Sequence, residues 1–186
     1  IDFSAGGGLY YLLTLGMPAV FALCIAELVL VMVLSARLGK MSIAGARGLF
    51  FAYAILNGVT FSAVFFAYDV QILLSVFALT ALYFGALAAY GWLTKRDLSG
   101  LGTILGFSVL FLLVFWVLSM FLPLGAFERI ICFIGLAVFM GCTAYDTQRI
   151  KHLHAEYGED YEMSKKASIF AALQLYLDFI NIFLYI

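Results

Sequence analysis

Long apolar runs dominate this chain and limit what it can become. Six segments approach or reach the ~20 mainly apolar residues that one membrane-spanning helix needs. They cover 17–34, 49–67, 70–93, 101–122, 130–145 and 167–186. Between them lie short polar connections, so neighbouring helices are expected to run antiparallel. The exception is the stretch from Arg149 to Lys166, read as a longer polar loop rich in Glu, Lys and His. A closed β-barrel is the other structure that can cross lipid. It requires strict alternation over segments of roughly ten residues. Runs such as LGTILGFSVLFLLVFWVLSMFL do not alternate. The expected fold is therefore all-α, a polytopic integral membrane helical bundle read as one domain over residues 1–186.

Composition agrees with that reading. Hydrophobic residues make up 66% of the 186 and charged residues 11%. Soluble domains average about 45–50% and 25%, so a water-soluble globule is excluded. A net charge of −1 offers no basic footprint for a nucleic acid. The three cysteines, Cys24, Cys132 and Cys142, all lie in apolar runs and are read as packing residues.

Lysine and arginine fix the orientation. Nine of the ten basic residues fall in connections on one side, and Arg129 alone falls on the other. The basic side is read as cytoplasmic. Residues before the first run are then extracytoplasmic. Opening on Ile, outside, with no signal peptide, the chain reads most simply as a fragment that lacks a preceding helix. The other reading is that the polypeptide starts here.

Three acids stand within or at the ends of apolar runs: Glu27, Asp146 and Asp178. A carboxylate at mid-membrane costs about 2.5–3.5 kcal/mol on insertion scales, so such residues find partners, face water or carry function. Asp178 lies on a helical stripe with Ala171, Gln174, Asn181 and Tyr185. Asp146 shares a face with Phe139, Cys142, Thr143 and Arg149, about one turn from the cytoplasmic end of its run. Two readings stay open. These carboxyls line an ion or proton path, or they are neutral groups that bond helices together, with Asp146 pairing to Arg149. Arg37 ends the first run and either snorkels to the headgroups or reaches inward to Asp146. Tyr53, Asn57 and Thr60 share a face suited to interhelical hydrogen bonds.

Other motifs lead nowhere. His152 and His154 lack further ligands at metal spacing. The acidic run Glu156–Glu162 lacks the EF-hand pattern. No G-x-S-x-G, H-E-x-x-H or P-loop occurs, so an enzyme is not expected. Tyr68, Trp92 and Tyr145 read as interfacial belt aromatics.

Four stretches resemble one known family. They are ELVLVMVLSAR at Glu27–Arg37, GWLTKRDLSGLG at Gly91–Gly102, AYDTQRIK at Ala144–Lys151 and LYLDFINIF at Leu175–Phe183. Together they resemble the Bax inhibitor-1 (transmembrane BAX inhibitor motif) family, in a prokaryotic form, over essentially the whole chain. The resemblance implies a seven-helix fold whose last helix is central, with six spans present here. It implies a pH-sensitive calcium leak in the bacterial inner membrane. In that picture Asp146 and Asp178 form a dyad, Arg37 is its latch, and Glu27 is a further intramembrane acid. Gln174, Asn181, Thr143 and Asn57 form the supporting polar face. Calcium is the transported ion, held transiently by Asp146 and Asp178, and no resident cofactor is expected. Some bacterial members are instead linked to restraining a membrane-bound ATP-dependent protease, and eukaryotic members to suppressing cell death.

Overall fold

The computed structural model describes residues 17–37, 40–119, 121–123, 125–157 and 160–186. The expectation for the first sixteen residues lies outside that range. All regular structure among the described residues is helical: α1 (Met17–Arg37), α2 (Ile43–Ala67), α3 (Val70–Leu93), α4 (Leu101–Ser119), a short 3-10 turn (Gly125–Phe127), α5 (Glu128–Tyr157) and α6 (Tyr161–Tyr185). Five of these helices, α2 to α6, are long and apolar enough to cross a bilayer, and α1 contributes a shorter apolar stretch, Ala22–Leu34. Their outer faces suit lipid. Leu82 and Phe133 are 71% and 75% exposed, a display that water would punish.

Several helix ends differ from the sequence expectation, each for a local reason. Helix α2 starts at Ile43 rather than Leu49, because Ser42 Oγ accepts the Gly45 N–H at 3.1 Å, an N-cap bond. Helix α4 stops at Ser119 rather than Leu122. Pro123 follows closely, and a residue before proline is pushed out of helical conformation. The largest correction concerns Arg149–Lys166, expected as a loop. Helix α5 continues through it to Tyr157, and α6 begins at Tyr161. Residues 149–157 contain no proline or glycine to stop a helix. Asp160 then caps α6 by accepting the Met163 N–H at 3.1 Å. At 1.5 Å per residue the 30 residues of α5 span about 45 Å against a hydrocarbon core of about 30 Å. The polarity change near Arg149 marks where the helix leaves the lipid, not where it ends.

The chain divides into two compact units, residues 1–73 and 74–186. In the first, α1 packs on α2. In the second, the α5–α6 hairpin is the most extensive packing, and α4 lies against α5. Helix α3 reaches α6 through Phe77 and Phe84, each edge-on to Phe179 at 5.5 Å. Leu112, Phe139, Cys142 and Ile182 form the buried apolar centre of this unit.

A buried carboxylate pair on facing helices

Within the hairpin, α5 and α6 run antiparallel and their contacts step in opposite directions. Arg149 lies over the Phe170 ring at 5.5 Å. Phe139 stacks on Tyr185 at 5.8 Å with the rings 25° apart. Between these two contacts the same register sets Asp146 against Asp178, whose carboxyl groups are in hydrogen-bonding reach of each other. Both are buried, at 7% and 4% exposure. Among the described residues no donor reaches Asp178 Oδ2. Two carboxyls this close and away from water cannot easily both carry a charge.

The sequence placed Asp146 about one turn from a helix end. Helix α5 instead runs about three turns past it, to Tyr157. Arg149 is exposed and stacked on Phe170, and the one ion pair among the described residues is Lys166–Glu162 at 3.6 Å. No close ion pair joins Asp146 to Arg149 among the described residues, though the guanidinium stays within electrostatic reach of that carboxyl. Around the pair, Thr143 donates to the Phe139 carbonyl at 2.9 Å and Asn181 to the Leu177 carbonyl at 2.8 Å. Both donors are thus committed to their own helices. Gln174 stands half-buried, one turn from Asp178 toward the start of α6.

Glu27, Asn57 and Arg37 belong to the first unit. Thr60 Oγ1 donates to Glu27 Oε1 at 2.5 Å, joining α1 to α2. Asn57 is buried and donates to the Tyr53 hydroxyl at 3.1 Å, within α2. On the expected interhelical face, Thr60 provides an interhelical bond. Arg37 is exposed at the end of α1. Among the described residues no three His, Cys, Asp or Glu side chains gather as a metal site, and the three cysteines are free.

One group of residues beside the pair escaped the sequence reading. Gln148, 6% exposed, accepts the Leu98 N–H at 2.8 Å and donates to the Arg96 carbonyl at 2.8 Å. Lys151 donates to the Trp92 carbonyl at 3.2 Å and lies over its indole at 5.9 Å. Gly91 meets the Ala144 backbone and Gly102 the Tyr145 ring, both too closely for a Cβ. The α3–α4 connection is thus fastened along α5 from Ala144 to Lys151. Trp92 and Tyr145, expected as belt residues, are part of this fastening. The signal was available: GWLTKRDLSGLG and AYDTQRIK were each conspicuous, but nothing in one sequence says that they touch.

Apolar helices of spanning length, with two acids buried against each other on consecutive helices, define a polytopic helical membrane protein with an intramembrane carboxylate pair. The family model described as "Inhibitor of apoptosis-promoting Bax1" matches residues 3–186. The chain belongs to that family, Bax inhibitor-1. It is 42% identical over 163 residues to the inner membrane protein YbhL of Escherichia coli, covering 87% of this chain and 70% of that one. It is 44% identical over 164 residues to a protein of Deinococcus radiodurans, covering 88% and 71%. A Streptococcus pyogenes membrane protein, SpyM3_0260, is 33% identical over 164 residues, covering 88% and 70%.

Proposed function

We propose that this protein is a slow, pH-sensitive calcium leak of the bacterial inner membrane, gated by Asp146 and Asp178. The observation that carries the reading is the contact of the two carboxyls on facing helices. Sharing one proton, the pair is a weak ligand for a hard cation. Losing that proton leaves two charges that favour calcium. A site that binds loosely also lets its ion leave, as conduction requires. Glu27 offers a further carboxylate in the first unit. The E. coli relative's name as an inner membrane protein supports the location.

The test is calcium flux into liposomes holding the full-length protein, read across about pH 6–8, the range in which a switch near neutrality would respond. Asp146→Asn and Asp178→Asn should each shift the pH midpoint. The double variant should shift it by less than the two single shifts combined, because residues in contact are not additive. Additive shifts, or a wild type that passes no calcium at any pH, would falsify this reading. A second reading, a non-conducting regulator of a membrane protease, draws support from the charged ends of α5 and α6 that extend past the lipid. It predicts that Asp178→Asn leaves regulation intact while substitutions near Glu156 abolish it.

A further inference from the structure

The two ends of the carboxylate pair are unlike. Toward the start of α6, Gln174, Thr147 and Gln148 follow. Toward the other end Thr143 and Asn181 are the last polar side chains before the Phe139 and Tyr185 rings, and both give their donors to backbone carbonyls of their own helices. Cys142 and Ile182 come one turn beyond the pair, and Phe139 and Tyr185 one turn further. Leu112 closes the group from α4, with Leu105, Val109 and Phe84 around it. The Phe139 and Tyr185 rings stack at 5.8 Å. Tyr185 is seated on the bare backbone of Gly135, where a Cβ would lie 2.5 Å from its Cε1 and Cζ.

We propose that Phe139 and Tyr185, seated on Gly135, form the apolar barrier that closes the ion path between the carboxylate pair and the extracytoplasmic face. The physical basis is that a constriction lined by rings holds no water and so stops a hydrated ion without any charge. Gly135 sets the barrier, because its missing side chain lets the Tyr185 ring reach the α5 backbone. Cys142 marks the inner edge. It belongs to the apolar cluster, yet its thiol lies within electrostatic reach of both Asp146 and Asp178. The inference rests on the leak reading for its purpose but can be read out without calcium.

The experiment uses Cys142 as a native reporter, in full-length protein in which every other cysteine, Cys24 and Cys132 included, is replaced by Ser. A membrane-impermeant, thiol-reactive cation is added outside intact cells, and its attachment to Cys142 is followed with time. The unaltered barrier should keep labelling slow. Gly135→Ala, which pushes the Tyr185 ring aside, and Tyr185→Ala, which removes it, should each speed labelling by roughly tenfold or more, equivalent to a barrier lowered by about 1.4 kcal/mol. Tyr185→Phe keeps the ring and should label as slowly as the parent. Cys142→Ala should abolish the signal. Rapid labelling of the parent, or no acceleration in Gly135→Ala and Tyr185→Ala protein that remains folded, overturns the barrier. Faster labelling without calcium flux in any variant supports the barrier and removes the leak reading instead.

Discussion

Asp97 shows how a single polar side chain orders the connection that α5 grips. It is fully exposed, yet the Ser99 hydroxyl donates to its Oδ1 at 2.5 Å and the Ser99 N–H at 2.9 Å. These bonds, the hydroxyl foremost, hold its carboxyl below the usual carboxylate range, with His152 adding a smaller pull the same way. A group depressed in the folded state stabilises above its unfolded value, and that contribution disappears as pH falls through the folded one. Ser99→Ala should therefore move the Asp97 titration, followed by carboxyl NMR, upward toward the ordinary range. Any stability difference between variant and parent should exist near neutrality and vanish in strong acid. An unmoved titration would show that the hydroxyl does not set it. Among the intramembrane acids, the sequence already marked Asp146, Asp178 and Glu27, since a carboxylate in an apolar run is conspicuous by itself. Gln148 carries no such mark. Its two bonds run to backbone groups some fifty residues away, and a backbone partner leaves no trace in residue type.

Helices were legible where lipid dictates composition and illegible where it does not. Apolar length located all six, but the ends of α5 and α6 lie in water, where charge and helicity coexist. Aspartate suits a helix N-cap, but within so polar a stretch Asp160 was not singled out as one. That α5 and α6 are neighbours followed from the single loop that links them, yet the register that joins Asp146 to Asp178 depends on how far each helix extends past the lipid. The approach of α3 to α5 depends similarly on one absent side chain. At Gly91 an added Cβ would strike the Ala144 carbonyl, which is backbone and cannot rotate away. At Gly106, on α4, it would meet nothing within 4 Å. Gly91→Ala should thus lower stability by about 1–3 kcal/mol, the usual range for overpacking. Gly106→Ala should be neutral or slightly stabilising, since alanine favours helix by up to about 1 kcal/mol. Thermal unfolding of both in the same detergent compares them directly, and equal melting temperatures would contradict the close approach.

For the whole molecule the governing asymmetry is charge. With nine of ten basic residues in connections expected on one side, the Glu156 end of α5 is expected in the cytoplasm and the Asp69 turn, where Asp69 accepts the Gln71 N–H at 2.7 Å, on the opposite face. In a cysteine-free background, Asp69→Cys should react with an impermeant reagent in intact cells and Glu156→Cys only after the membrane is opened. The reverse pattern would invert the orientation. The hairpin also bears on how such a protein enters lipid during its synthesis. A lone aspartate passing into the bilayer costs about 2.5–3.5 kcal/mol, and two would double that burden if they arrived apart. Here the acidic helices are consecutive, joined at Tyr157 and Tyr161 by a few residues. As α6 leaves the translocation machinery, α5 is already beside it, offering the one surface in the hydrocarbon that another carboxyl can share a proton with. Insertion of α6 and assembly of the pair then become a single event, and Asp178 does not have to wait in the lipid uncovered.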